Sequence, residues 1–144
     1  MTGPTAKVRA LVVERDEGRC VRCCRPLFNL DSGSPVRQYS LQHRRARGMG
    51  GSKALDTNAP QNLILVCGSA TSPDCHHEME SRPSYAAEHG WRVGQRENPL
   101  DVPVTSWRGP IWLHADGTWT HVTDAGRPGV VSNPFTGAME RPVF

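Results

Sequence analysis

No apolar run in the chain approaches the ~20 residues that a membrane helix requires, so the reading is of a soluble protein without a membrane partner. Nothing at the N-terminus has the form of a secretory signal, since Ala10 to Val13 is only four apolar residues before Glu14 and Arg15. An even set of cysteines for a disulfide framework is also missing: there are five, with Cys23 and Cys24 adjacent, and pairing would leave one thiol over. A reducing cytoplasm is the expected compartment. His77-Glu78-Met79-Glu80-Ser81 lacks the second imidazole of a His-Glu-x-x-His site, which excludes a zinc peptidase of that type. Apolar residues are scarce as well, at 37% of 144 residues beside 14 Gly and 12 Pro, which predicts one small, loop-rich domain. Such a core needs support. A structural zinc can supply it, because apparent binding energies of roughly 10–16 kcal/mol in zinc-finger peptides rival the stability of a whole domain.

What is present is an order of residues: Cys20 and Cys23, His43, Asn62, Cys67 and Cys75, then His76. Cys20-Val-Arg-Cys23 can bring two sulfurs to one ion through a tight knuckle, and Cys67 with Cys75 can complete a tetrahedron. Cys24 is a competing ligand with poorer spacing, and isolated buried thiols or redox chemistry are the other readings of the set. His43 ends a plausible short strand and is followed by Arg44, Arg45 and Arg47, with Lys53 beyond. A neutral imidazole there can take a proton from water while the cations hold phosphate. Asn62 can pin a turn and hold His43 in position. His76 is a candidate ligand for a catalytic ion, with Glu80 four residues on and sharing its helical face; a zinc ligand replacing one cysteine, or a surface residue, are its other readings. His77 points elsewhere, and His89, His114 and His121 receive no role. The net charge is only +3, but residues 1–66 hold eleven Lys/Arg against five Asp/Glu and residues 67–144 hold six against nine. The positive half contains the candidate loop, which favours a polyanion such as DNA.

Thr5 predicts the cap of a helix over Ala6 to Glu17, stopped by Gly18. Residues 24–36 read as an exposed loop, Val36 to His43 as a strand, Arg44 to Pro60 as an extended loop, and Asn62 to Cys67 as a buried strand. A helix follows over Cys75 to Ser81, with a kink or new start at Pro83 before Tyr85 to His89. Asn98 to Pro103 resembles a linker, and residues 111–122 a hairpin around Asp116-Gly117. The expected organisation is a zinc-bearing domain over residues 1–98, an accessory hairpin packed on it over 99–122, and a flexible tail over 123–144.

Leu41-Gln-His-Arg-Arg-Ala-Arg-Gly-Met-Gly-Gly-Ser52, Asn62-Leu-Ile-Leu-Val-Cys-Gly68 and Cys75-His76 together resemble the HNH endonucleases, the zinc-knuckle branch of the ββα-metal or His-Me finger nucleases, and especially small HNH proteins of actinobacterial phages. The resemblance spans about Arg15 to Trp91. It implies an α+β fold: a ββα-metal core with a structural zinc knuckle, an N-terminal helix and a C-terminal hairpin. It also implies hydrolysis of DNA phosphodiesters with His43 as general base, Asn62 as the central Asn and His76 as the final metal ligand. The cofactors implied are a structural Zn2+ and one divalent catalytic ion, Mg2+, Mn2+, Ni2+ or Zn2+, held by His76, Glu80 and Gln42. Arg44, Arg45, Arg47 and Lys53 would line the DNA. A phage-encoded protein of the host cytoplasm, acting in DNA processing or packaging beside terminase subunits, is the expected setting. One position departs: the residue before the catalytic His is commonly Asp or His, and Gln42 is a neutral, weaker oxygen donor. That departure bears on metal affinity and keeps two alternatives in view: a catalytically silent zinc-stabilised DNA-binding or packaging accessory protein, and a protein-interaction module using the Trp-containing hairpin.

Overall fold

The computed structural model describes residues 3–46, 56–69 and 71–123. Its first element, α1 (Ala6–Arg15), begins where Thr5 is extended and its hydroxyl accepts from the Val8 N–H at 3.2 Å. Val12 and Arg15, three residues apart, are buried on one face. The helix stops at Arg15 rather than Glu17, and Glu17 and Gly18 both take left-handed backbone. The cause lies in Asp16, which turns inward. Its carboxylate accepts from Arg15 at 2.8 and 3.0 Å and from the Leu65 N–H at 3.0 Å. Arg15 also donates to the carbonyls of Pro60 (2.7 Å) and Leu63 (2.6 Å), so one buried ion pair fastens α1 to the centre of the fold.

Residues 24–36, expected as loop, contain a short antiparallel ribbon of β1 (Phe28–Asn29) and β2 (Ser34–Pro35). The Asn29 side chain closes its turn by accepting from the N–H groups of Asp31 and Ser32. The next strand, β3 (Tyr39–His43), is shorter than predicted because the Val36 N–H bonds Leu27 instead. It pairs antiparallel with β4 (Leu63–Cys67), in a register that sets Tyr39 against Cys67 and His43 against Leu63. All five residues of β4 are buried, as its unbroken apolar run requires. A 3-10 turn over Pro60–Asn62 leads into it.

Helix α2 (Cys75–Ser81) follows, and α3 (Pro83–Glu88) starts afresh at the proline, which cannot donate a helical hydrogen bond. Gly90 then reverses the chain at φ +74°, where a Cβ would lie 1.8 Å from the Pro103 carbonyl oxygen. The predicted hairpin is present as β6 (Gly109–Leu113) and β7 (Trp119–His121), but a preceding strand, β5 (Val104–Ser106), widens it to three strands. Val104, Ile111 and Leu113 join the core formed by Val12, Val21, Leu27, β4, Met79, Ala86 and Trp91. The result is a small α+β protein with short helices and small antiparallel sheets. Among the described residues no helix is long and apolar enough to cross a membrane. The tail expected beyond Thr123 lies outside the described residues.

Asp16→Ala would leave the Arg15 guanidinium buried without its carboxylate. The expected loss is about 3–5 kcal/mol of unfolding free energy, measured by urea denaturation, and a loss below about 1 kcal/mol would show that the pair does not hold α1 in place.

Candidate metal centre and cleft

Cys20, Cys23, Cys67 and Cys75 present sulfur atoms that all lie within 4.8 Å of one another. A zinc ion with Zn–S bonds of ~2.3 Å separates its sulfurs by about 3.8 Å in a regular tetrahedron. The Cys23 and Cys67 sulfurs are 3.8 Å apart, on that edge length and far outside the ~2.05 Å of a disulfide. All five cysteines are free thiols. Four soft sulfurs suit zinc, and the site fits a structural ion of that kind. Cys24 stays out of the cluster: its left-handed backbone, at φ +65°, accompanies a turn closed by its N–H on the Cys20 carbonyl.

Charge is arranged around the sulfurs. Four thiolates about one Zn2+ leave a net negative charge, and Arg22 donates to the Cys75 sulfur at 3.3 Å while Arg25 approaches the Cys67 sulfur at 4.0 Å. The hydrogen bond from Cys20 draws the Cys75 pKa down to about 5, and the same contact, with burial, drives the Cys20 thiol up. Burial raises Cys67 to about 11. A set that already favours one thiolate is primed for a cation.

A second group gathers in a cleft of about 280 Å³ lined by Leu41, Gln42, His43, Ala46, His76 and Glu80. His43 stands at the end of β3, and His76 follows Cys75 of the cysteine cluster on α2. The His76 Nε2 lies 3.4 Å from a Glu80 carboxylate oxygen, one helical turn on. The Gln42 Oε1 and the His76 Nδ1 are buried and have no hydrogen-bond partner among the described residues. Each unmet group costs about 1–3 kcal/mol unless water or a ligand meets it. Imidazole, carboxylate and amide oxygen are a donor set for Mg2+, Mn2+, Ni2+ or Zn2+. Among the described residues the cysteines are the one cluster of three or more His, Cys, Asp or Glu ligand atoms, so this second set depends on Gln42 as its third donor. His77 is exposed, away from the cleft.

His43 has a partner that sequence reasoning missed. Its Nε2 is 2.8 Å from the Asn58 Oδ1, whereas Asn62 holds the loop around them. The Asn62 side chain is fully buried; it accepts from the Arg45 N–H at 2.7 Å and donates to the carbonyls of Thr57 (2.8 Å) and Arg45 (3.2 Å). Asn58 falls in the stretch read as an extended loop, and nothing in its spacing pointed to His43.

Two expected DNA contacts are corrected. Arg44 is 1% exposed and donates to the carbonyls of Gly90, Gln61, Pro99 and Val102 at 2.6–3.0 Å. Burial, and then the charge of Arg15, push its pKa down to about 9, and it remains a cation at neutral pH. Arg45 is 8% exposed, paired with Asp56 and bonded to the Glu97 carbonyl. Neither guanidinium is free to meet a phosphate; the positive charge read from sequence is partly internal scaffold. Arg47 and Lys53 lie outside the described residues.

Comparison with protein-family models, with curated proteins and with solved structures finds no match to the chain. The site must therefore be read from its own chemistry.

Adjacent cysteines give a sharp test. Cys23→Ser should lower zinc content below one ion per chain and depress the melting temperature by 10 °C or more, on the order expected when a structural zinc ligand is lost. Cys24→Ser should change neither. Equal effects of the two substitutions, in metal analysis and thermal melts, would overturn the assignment of ligands.

Proposed function

We propose that the chain is a metal-dependent DNA endonuclease of the HNH type, with β3, β4 and α2 as its ββα-metal core. The observation that supports this reading is the cleft itself: His43 and Gln42 from the strand pair and His76 and Glu80 from the following helix line one cavity, and the buried Gln42 oxygen has no partner among the described residues. The sequence resemblance supplies the substrate, and it alone supports a phage setting in DNA processing or packaging with terminase subunits as partners.

In this reading a proton on Nε2 of His43 is held by the Asn58 oxygen, leaving Nδ1 to accept a proton from the attacking water. Asn62 keeps the segment that carries His43 and Asn58 closed by tying Arg45 to Thr57. His76, Glu80 and Gln42 would hold the divalent ion. That ion, when bound, neutralises charge building on the phosphate and the leaving oxygen.

A second reading, the zinc-stabilised DNA-binding accessory protein without cleavage, is favoured by one specific observation: an uncharged Gln42 stands where an acidic or imidazole ligand would hold the ion more strongly. Supercoiled plasmid with zinc-loaded protein and added Mg2+, Mn2+ or Ni2+ separates the two. The nuclease should convert it to nicked or linear DNA, and His43→Ala should slow conversion by about 10²-fold or more with unchanged melting temperature. A folded parent protein that binds DNA yet cuts with none of these ions is the accessory protein.

A further inference from the structure

Tyr39, Leu41 and His43 share one face of β3, because alternate residues of a strand point the same way. Leu41 lines the cleft of His43 and also a larger groove of about 530 Å³ between α1, β3 and the β1–β2 ribbon. The two cavities are therefore neighbours along one strand face. The groove is mostly apolar, walled by Val13, Phe28, Leu30 and Tyr39, and the Phe28 and Tyr39 rings stand 4.6 Å apart with their planes at 57°. Leu30 is 59% exposed at this groove, and with Val36 it makes up the exposed large hydrophobic residues among those described. Exposed apolar surface beside a half-formed aromatic wall marks a place for a ligand.

Charge selects which part of a nucleic acid could enter. Glu14, the acidic residue of the lining, has no ion-pair partner among the described residues and would repel a phosphate. Its carboxylate can instead accept from an exocyclic amino group of a base. Arg9, exposed and also lining the groove one helical turn away, can meet the phosphate attached to that base. From Tyr39 to His43 the strand advances ~13 Å at ~3.3 Å per residue. That span is close to four steps of a stacked DNA strand at ~3.4 Å each.

Resting on the nuclease reading, we propose that this groove receives a single unstacked base a few nucleotides from the scissile phosphate, so that the substrate class is DNA with unpaired nucleotides: a flap, a frayed end or a bubble. Aromatic rings bind a free base by stacking, and a paired base in a duplex has no face to offer them.

The test uses the full chain carrying His43→Ala, zinc loaded and without added catalytic ion, so that binding is read apart from cleavage. A fully paired duplex is compared by fluorescence anisotropy with the same duplex carrying a central bubble, in which one base is 2-aminopurine. The bubble should bind about ten-fold more tightly, the order that base–aromatic stacking supplies, with a change in 2-aminopurine emission. Tyr39→Ala should bring the two affinities near parity, and Leu30→Ser, at an exposed position that the fold does not need, should reduce their ratio with unchanged melting temperature. Equal affinity for both DNAs, or a preference that survives both substitutions, overturns the proposal, as does failure to bind either DNA, which would leave the groove to a protein. A bubble preference in a protein whose parent never cleaves would defeat the nuclease reading and leave the base site standing.

Discussion

Four sulfur atoms meeting at one point are the constraint on which the rest of the structure depends. They come from the turn after α1, from the last residue of β4 and from the first residue of α2. Because Cys67 ends the strand and Cys75 begins the helix, the cluster sets the angle at which α2 leaves the sheet. His76 is the next residue, so its position opposite His43 is inherited from the cysteine cluster.

Buried arginines form the second support. Arg15 gathers the carbonyls of Pro60 and Leu63, and Arg44 gathers four more from Gln61, Gly90, Pro99 and Val102. A chain with many loops has many carbonyls without secondary-structure partners, and a planar guanidinium with five donors can satisfy several at once. These residues tie β4, the turn before it and the segment leading to β5 into one body. Their cost is desolvation, offset for Arg15 by Asp16 and for Arg44 by its ring of carbonyl dipoles.

Around the cleft, rigidity and unmet valence coexist. Asn62 and the Arg45–Asp56 pair close the segment on either side of residues 47–55, while Gln42 and His76 keep buried donor atoms unmatched. Buried polar atoms of Gln61, Trp107 and Arg108 share that condition, and it is the chemistry of the cleft's donors that makes Gln42 and His76 candidates to meet a ligand. The apolar groove along the same strand extends that region toward α1, and it gives β3 two kinds of surface, polar at His43 and aromatic at Tyr39.

Cysteine spacing, the helix cap at Thr5, the apolar run of β4, the proline start of α3 and the Asp116-Gly117 turn were all legible, because each depends on residues close together in the chain. His43, His76 and Glu80, singled out by residue type, line one cleft. Long-range geometry decided the rest. Whether an arginine faces solvent or the core depends on where distant carbonyls lie, so Arg44 and Arg45 read as surface charge and proved to be internal. The same holds for Asn58 at His43, the third strand at Val104 and the groove beside Tyr39: each is made by segments far apart in sequence, and only the folded chain brings them together.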